Sequence, residues 1–232
     1  MSCCEDKGIE IIFEDNHLLV VKKPVNIPTQ KDESNDSDML TLLKEDIKKR
    51  YNKPGNVYLG LVHRLDRPVG GVMVFAKTSK AASRLSDQVR TRQFKKVYLA
   101  VVHGILRKPE DRLEDYLLKD TGNNTVSVVK EGTPGSKLAV LDYEVLRTHN
   151  NFSLIKVHLH TGRPHQIRVQ FANIGHPLYG DQKYGQRVNK PGQQIALWSN
   201  EITLVHPVLK EGMVFKCEPP GNEPWSWFNM AT

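Results

Sequence analysis

Asp66 lies among side chains that could give its carboxylate a chemical role. The run His63-Arg64-Leu65-Asp66-Arg67 places one carboxylate among three side chains that can carry positive charge. Neighbouring arginines favour the ionised form of a carboxylate, and a carboxylate kept charged in a cleft can act as a nucleophile or as a base. A surface ion pair is the alternative interpretation of such a run.

The segments on both sides of Asp66 have the character of buried strands. Residues 57–62 are mostly apolar and β-prone, and residues 72–76 form a continuous apolar run of strand length. Pro68 and the pair Gly70-Gly71 interrupt the regularity between them. We therefore expect Asp66 on a loop between two buried strands, a common place for a catalytic group.

A second informative stretch, residues 161–168, has the sequence TGRPHQIR and leads into a predicted helix. Apolar residues repeat at helical spacing from Ile167, and Gly175 is typical of the position that follows a helix. Pro164 suits the first helical turn. Arg168 lies outside the apolar stripe, and a positive charge near a helix start is unfavourable for the helix dipole. Arg168 is therefore expected to have another partner.

Residues 90–98, RTRQFKKVY, interleave basic and aromatic side chains. Cations can bind phosphates and rings can stack on bases, so this stretch is a candidate nucleic-acid surface. The alternative is an exposed helix end that leads into a strand over residues 97–103. The chain carries 33 Lys plus Arg against 26 Asp plus Glu, a net charge of +7, which suits a polyanionic partner such as nucleic acid.

Periodicity and capping signals predict the remaining elements. Asp38 is the expected N-cap of a helix that runs to Arg50, and a second helix is predicted over residues 79–90. The acidic segment 110–120 is interpreted as a solvated excursion, and residues 30–38 as a polar loop. Further strands are predicted over residues 10–13, 18–22, 125–130, 137–147, 152–160, 195–205 and 213–217.

Composition excludes several classes of protein. The chain has 232 residues, of which 39% are hydrophobic and 25% charged, as in an ordinary globular domain. No apolar run approaches the ~20 residues that cross a bilayer, and the first ten residues lack the form of a secretory signal. Cys3 and Cys4 are adjacent and Cys217 is remote, so no disulfide framework is expected. We expect a cytoplasmic protein with no membrane association.

Cofactor motifs are missing from the sequence. It contains no G-x-G-x-x-G, no G-x-x-x-x-G-K-[ST] and no H-E-x-x-H pattern. His158 and His160 share one face of a predicted strand, but no third metal ligand is evident. We therefore expect no nucleotide cofactor and no metal.

Five stretches, taken in order, resemble the RluA-type family of RNA pseudouridine synthases, and the resemblance covers nearly the whole chain. They are EDNHLLVVKKP at 14–24, HRLDRPVGG at 63–71, KVYLA at 96–100 with Gly104, GRPHQIR at 162–168 and GHPLYGD at 175–181. The resemblance implies an α+β fold: a mixed, largely antiparallel sheet split into two halves, with flanking helices and a central active-site cleft. It also implies a single catalytic domain over residues 1–232, without a separate N-terminal RNA-binding domain, that acts as a monomer.

The chemistry implied by the resemblance is the isomerisation of uridine to pseudouridine in ribosomal or transfer RNA, without a cofactor. Asp66 would be the catalytic carboxylate, and the sequence leaves open whether it attacks the sugar, attacks the base or removes a sugar proton. Arg168 would pair with Asp66, and Tyr98 would lie against the uracil ring. Arg64 would fill the gap left by a flipped uridine. The expected RNA-binding residues are Arg64, Arg90, Arg92, Lys95, Lys96, Arg163 and His165.

The sequence departs from the family pattern at three places. Val69-Gly70-Gly71 replaces a common Thr-Ser-Gly, Pro164 stands where Thr or Ser is usual, and LWS at 197–199 replaces Leu-His-Ala. None of these removes a proposed catalytic group. Two alternative functions fit the same residues less well. An RNA-binding protein without catalysis would not need Asp66, Tyr98 and Arg168 together, and a glycoside hydrolase would need a second carboxylate.

Overall fold

A computed structural model describes residues 7–32, 34 and 36–229. Cys3 and Cys4 lie outside the described residues. The chain divides into two compact units, one formed by residues up to 96 together with 199–218, the other by residues 97–198 together with the segment from 219. The first unit therefore combines the start of the chain with a segment about a hundred residues further on.

The first unit is built from short antiparallel strand pairs and two helices. The elements are β1 (Glu10–Glu14), β2 (Leu18–Lys23), α1 (Met39–Arg50), β3 (Gly60–Leu61), β4 (Gly70–Ala76), α2 (Ser79–Arg90), the start of β5 (Lys95–His103), most of β10 (Leu197–Val205) and β11 (Gly212–Lys216). The antiparallel pairs are β1 with β2, β2 with β4, β3 with β4, and β10 with β11. Only a short part of the strand predicted before Asp66 forms, as β3.

Side-chain caps fix the start of both helices of this unit, and the cap of α1 is the one that the sequence predicts. The carboxylate of Asp38 accepts hydrogen bonds from the backbone and hydroxyl of Thr41 at the start of α1. Thr78 caps α2 by accepting from the amide of Ala81. The core packs Val20 and Val74 of the strands against Leu85 of α2, with further buried residues from β10 and β11.

Gly71 of β4 lies where no other residue fits. Its φ is +117°, and a Cβ atom there would lie 2.2 Å from the carbonyl oxygen of Ser199. Gly71→Ala is therefore expected to lower the free energy of unfolding by about 2–4 kcal/mol, since strain and overlap add. Urea denaturation measures this, with Gly55→Ala as the control, because nothing lies within 4 Å of a Cβ at Gly55. An equal loss of unfolding free energy in Gly71→Ala and Gly55→Ala would contradict the prediction.

The elements of the second unit are the rest of β5, β6 (Glu110–Asp120), β7 (Thr125–Val129), β8 (Lys137–His149), β9 (Phe152–Leu159), α3 (Gln166–Asn173) and a 3-10 turn over Trp225–Phe228. Its strands lie in the order β5-β9-β8-β6-β7. The pairs β6–β7, β6–β8 and β8–β9 are antiparallel. The expected α+β class is confirmed, since each unit combines antiparallel pairs with few helices.

The interpretation of residues 110–120 as a solvated excursion was wrong. The segment is an 11-residue strand that pairs with β7 and β8. Leu113 and Leu117 are buried, while Glu110 and Glu114 are exposed. The many charged residues on the exposed side concealed a half-buried strand.

The helix predicted around Pro164 begins two residues later. α3 starts at Gln166, and His165 at its N-cap has a left-handed backbone with φ 52°. The predicted end is confirmed, because Gly175 has φ 82° directly after the helix. Among the described residues, no helix is both long and apolar enough to span a membrane.

Candidate active site

Asp66 is carried by a tight turn between β3 and β4, at the predicted place, although of the two strands only β4 is buried. The amide of Val69 donates a 2.9 Å hydrogen bond to the carbonyl oxygen of Asp66, which closes the turn. The side chain of Asp66 is partly buried. A half-buried carboxylate on a closed turn is accessible to a ligand, and the backbone that carries it is restrained.

Thr29 fixes the residue that precedes Asp66. Its hydroxyl donates to the carbonyl oxygen of Leu65 at 2.8 Å and accepts from the amide of Leu65 at 3.3 Å. Both backbone groups of Leu65 are therefore held by one buried side chain that lies 36 residues earlier in the chain. Thr29 is not among the residues predicted from the sequence.

His63 ties the start of the loop to β4. Its Nε2 atom accepts a 3.0 Å hydrogen bond from the amide of Val74, so the ring proton is on Nδ1. Burial, together with the charge of Lys96, lowers the pKa of His63 to about 3. The imidazole is therefore neutral at neutral pH and acts as a support rather than a proton carrier.

Lys23 supports the turn from the end of β2. Its side chain is fully buried, and Nζ donates to the carbonyl oxygens of Pro24 (3.0 Å), Arg67 (3.1 Å) and Val69 (2.7 Å). Burial lowers the pKa of Lys23 to about 7, the charge of Asp66 raises it and that of Arg67 lowers it. The only sign of this residue in the sequence is a second lysine at the end of an apolar strand.

The two arginines beside Asp66 are both exposed, and Arg67 binds the loop before α1. Arg67 forms ion pairs with Asp36 and Asp32, and its guanidinium also donates to the hydroxyl of Ser34. The polar loop predicted over residues 30–38 is thereby attached to the Asp66 turn through its described residues. Arg64 is exposed, as a residue that contacts RNA must be.

In the second unit, Arg168 is buried and forms an ion pair with Asp181. Its Nε and Nη2 atoms donate to the two carboxylate oxygens of Asp181 at 2.8 Å each. The backbone amides of Lys183 and Tyr184 donate to the same carboxylate. Burial would raise the pKa of Asp181, but Arg168 and these amides outweigh it, so the pKa is lowered.

The expectation that Arg168 has a partner other than the helix dipole is thus correct, and Asp181 is one such partner. Sequence reasoning missed it, although Asp181 closes the GHPLYGD stretch. Asp66 and Arg168 belong to different units, and their pairing stays a prediction.

His165 and Arg163 make contacts within the second unit. Nδ1 of His165 and the hydroxyl of Tyr184 form a 2.6 Å hydrogen bond, and that hydroxyl also accepts from the amide of Val126. The ring of Tyr184 lies 5.2 Å from the guanidinium carbon of Arg168. Nε of Arg163 donates to the carbonyl oxygen of Leu138.

The remaining predicted residues occur around β5. Arg90 forms an ion pair with Asp87 at the end of α2, and Arg92 and Lys95 are exposed. Burial lowers the pKa of Lys96. Tyr98 is buried in the second unit.

No group of three potential metal ligands occurs in the part of the chain that the structure describes. His160 instead forms a 2.6 Å hydrogen bond with Asp142, which also binds Arg112.

Comparison with known proteins assigns the class. A family model described as RNA pseudouridylate synthase matches residues 17–173, and the chain belongs to this family. The protein is therefore an RNA pseudouridine synthase, an isomerase that acts on RNA. The resemblance to this family seen in the five sequence stretches is confirmed.

Individual relatives cover most of the chain. An uncharacterized RNA pseudouridine synthase, YhcT of Bacillus subtilis, is 34% identical over 217 residues, which are 92% of this chain and 70% of the relative. The ribosomal large subunit pseudouridine synthase D of Haemophilus influenzae is 31% identical over 225 residues, 90% of this chain and 67% of the relative. The solved structure of human RNA Pseudouridylate Synthase Domain Containing 4 shares the fold, with a TM-score of 0.79, 22% identity, and coverage of 94% of this chain and 92% of that one.

Proposed function

We propose that this protein isomerises specific uridines of ribosomal RNA and that Asp66 is its catalytic carboxylate. The observation that carries the proposal is the support of the Asp66 turn by Lys23, Thr29 and His63, which is more than a surface ion pair would need. Ribosomal RNA is favoured because relatives are named for the large ribosomal subunit. Transfer RNA is the alternative substrate, and the tritium-release assay described below distinguishes it from ribosomal RNA.

The reaction moves a bond within one nucleotide. The bond from C1′ of ribose to N1 of uracil breaks, the base turns, and a bond from C1′ to C5 forms. The proton on C5 then leaves to solvent while N1 takes up a proton, so that the product is an isomer of uridine and no redox step occurs. Asp66 starts this sequence by acting on the sugar or the base.

We assign two further roles by the family resemblance. Arg168 pairs with Asp66 and keeps it ionised and oriented, a role that its firm attachment to Asp181 supports. Tyr98 lies against the uracil ring, and its hydroxyl assists the loss of the C5 proton.

Release of tritium from RNA labelled at C5 of uridine tests the function. The RNA is taken from cells lacking the protein, because modified sites do not react again, and ribosomal and transfer RNA are assayed separately. We expect release from ribosomal RNA at a stoichiometry of one tritium per modified site. Release from transfer RNA alone would overturn the choice of substrate. RNA binding without release from either would indicate a protein that binds RNA without catalysis.

The basic residues after α2 are proposed to bind the phosphate backbone. Arg92→Glu with Lys95→Glu is expected to weaken RNA binding about tenfold or more at low salt and to reduce the salt slope of log K by about 1–2, since each lost phosphate contact removes about 0.7–0.9. Filter binding between low and moderate salt measures both quantities. Lys119→Glu with Lys137→Glu, two exposed lysines of the second unit, is the control of equal charge. Equal losses in the two double variants would contradict a local RNA surface.

We further propose that the protein acts as a monomer in the cytoplasm, where ribosomal RNA is available to it. The resemblance to the family supports this oligomeric state. Light scattering at micromolar concentration tests the oligomeric state.

A further inference from the structure

The end of α1 carries an exposed aromatic ring among cations. Tyr51 is the C-cap of this helix and is 51% exposed. Three cations lie near the centre of its ring: Cζ of Arg50 at 5.2 Å, Nζ of Lys77 at 5.2 Å and Nζ of Lys53 at 5.9 Å. These four residues are called the Tyr51 cluster. The segment that contains most of it, residues 44–53, has five cations against two carboxylates.

The carboxylate of Glu14 holds the Tyr51 cluster together. Glu14, at the end of β1, accepts hydrogen bonds from Arg50 at 2.8 Å and from Lys77 at 2.6 Å. Its Oε1 atom also accepts from the hydroxyl of Tyr51 at 3.1 Å. Burial would raise the pKa of Glu14, but the hydrogen bonds and charges of Lys77 and Arg50 outweigh it, so the pKa is lowered. The ring is therefore fixed at its hydroxyl end while half of the residue stays in solvent.

Two elements connect the Tyr51 cluster with the turn that carries Asp66. α1 begins beside that turn, because the amide of Leu40 donates to the carbonyl oxygen of Thr29, which also holds the turn. The 12 residues of α1, at about 1.5 Å each, then place the cluster about 18 Å further on. β4 starts at the turn and ends directly before Lys77. The distance between turn and cluster is one that several nucleotides of single-stranded RNA can span.

We propose that the Tyr51 cluster is a second RNA-binding site, at which a base of a single-stranded segment flanking the target uridine stacks on Tyr51 while Lys53 and its neighbouring cations bind phosphates. The inference rests on the proposed function, since it takes the RNA substrate as the ligand. Stacking on an aromatic side chain is open to every base, because every base has a flat face. The site therefore adds affinity for the RNA without reading its sequence.

The chemistry of the Tyr51 cluster fits a nucleotide better than an acidic peptide. Cations alone bind any anion, whereas a nucleotide offers both a phosphate for a cation and a base for an exposed ring. The chain also belongs to a family that acts on RNA. A cluster that only stabilised the end of α1 would make the same internal contacts. Binding must therefore be measured separately from stability.

Two variants separate stacking from charge in binding to a single-stranded oligouridylate. Tyr51→Ala is expected to weaken binding about tenfold without changing the salt slope of log K, because it removes a stacked base but no cation. Lys53→Ala is expected to weaken binding and to reduce the salt slope by about 0.7, the value for one phosphate contact of a single strand. Filter binding over a range of salt concentrations measures both quantities.

Matched variants control for structure. Tyr51→Phe keeps the ring and loses only the hydrogen bond to Glu14, so it should retain the affinity. Tyr58 is a tyrosine of the same unit that is 49% exposed and whose hydroxyl lies close to Gly60 of β3. Tyr58→Ala should bind like the wild type, as should Lys119→Ala, which removes an exposed charge of the second unit. An affinity of Tyr51→Phe or Tyr58→Ala as low as that of Tyr51→Ala would overturn the inference.

Fluorescence reports contact with the RNA without any turnover. Tyr51→Trp introduces an indole, whose emission is the difference from that of the wild type with its Trp198, Trp225 and Trp227. Oligouridylate should quench this added emission in Tyr51→Trp but not in Tyr58→Trp. Equally strong quenching by polyglutamate would indicate a surface for any polyanion, such as an acidic protein, and would overturn the RNA site.

Kinetics distinguish a failure of this inference from a failure of the proposed function. With ribosomal RNA, Tyr51→Ala should raise the KM of tritium release about tenfold with a much smaller effect on kcat, because the ring binds RNA away from the reacting nucleotide. Quenching in Tyr51→Trp without tritium release by the wild type would refute the proposed function and support the binding site. Tritium release by the wild type with an unchanged KM in Tyr51→Ala would overturn the binding site and leave the function intact.

Discussion

Asp66→Asn is expected to reduce tritium release from C5-labelled RNA by more than about 10³-fold while RNA affinity stays within a few-fold. An amide has the shape of the carboxylate but is neither a nucleophile nor a base at neutral pH. The turn itself should persist, because it is closed by backbone groups of Asp66 and Val69 and held by Lys23. Single-turnover release assays and filter binding measure the two quantities.

Asp36→Asn is the matched control for this prediction. Asp36 is an exposed carboxylate of the same unit that pairs with Arg67, next to Asp66 in sequence. Its loss should leave turnover within about threefold, since exposed ion pairs contribute little. Full turnover by Asp66→Asn would remove Asp66 from the mechanism, whereas a collapse of turnover in both variants would point to the charge of the whole loop.

Asp181→Asn is expected to lower the free energy of unfolding by about 3–5 kcal/mol, because the buried guanidinium of Arg168 loses its charged partner. The exposed side-chain fractions of this pair are 7% for Arg168 and 0% for Asp181, so water cannot replace the lost carboxylate. Turnover should fall as well, because Arg168 is no longer held in place. Urea denaturation at neutral pH measures the stability.

The stability contribution of Asp181 also has a defined pH dependence. Its pKa is lower in the folded than in the unfolded protein, so the contribution is present above the unfolded value of about 4 and is lost as the pH falls through the folded value. The difference between the wild type and Asp181→Asn should therefore shrink in acid.

Asp142 provides an exposed pair for comparison with Asp181. Its carboxylate binds Arg112 through two hydrogen bonds, and the hydrogen bonds of Arg112 lower its pKa to about 2. Asp142→Asn is nevertheless expected to lower the free energy of unfolding by only about 1 kcal/mol or less, because solvent screens the pair. Equal costs for Asp142→Asn and Asp181→Asn would contradict the argument from burial.

Local signals in the sequence were sufficient to predict the elements whose ends or apolar runs are encoded by neighbouring residues. α1 begins after its N-cap Asp38 and ends at Arg50, as predicted, and the apolar run after Gly71 forms most of β4. The prediction of a solvated excursion at residues 110–120 was wrong because a strand with one exposed face can be mostly charged. Only its pairing with β7 and β8 shows that it belongs to a sheet.

The residues that support the site could not be predicted in the same way. Asp66 and Arg168 stand in recognisable motifs, but Thr29 acts 36 residues away from its partner Leu65. Lys23 acts 44 and 46 residues away from its partners in the Asp66 turn. Such contacts depend on how β2 and β4 pair, and no spacing within a motif encodes that register.

The discontinuous first unit has a consequence for synthesis on the ribosome. Gly71 packs against Ser199, Gln88 exchanges two hydrogen bonds with Val205, and Asp15 binds His206. These partners leave the ribosome only after the whole stretch from 97 to 198 has been translated. The turn with Asp66 therefore lacks these partners, and its apolar strands stay uncovered, until the last seventh of the chain is made. A nascent chain stalled before residue 199 should be an early target for chaperones and proteases.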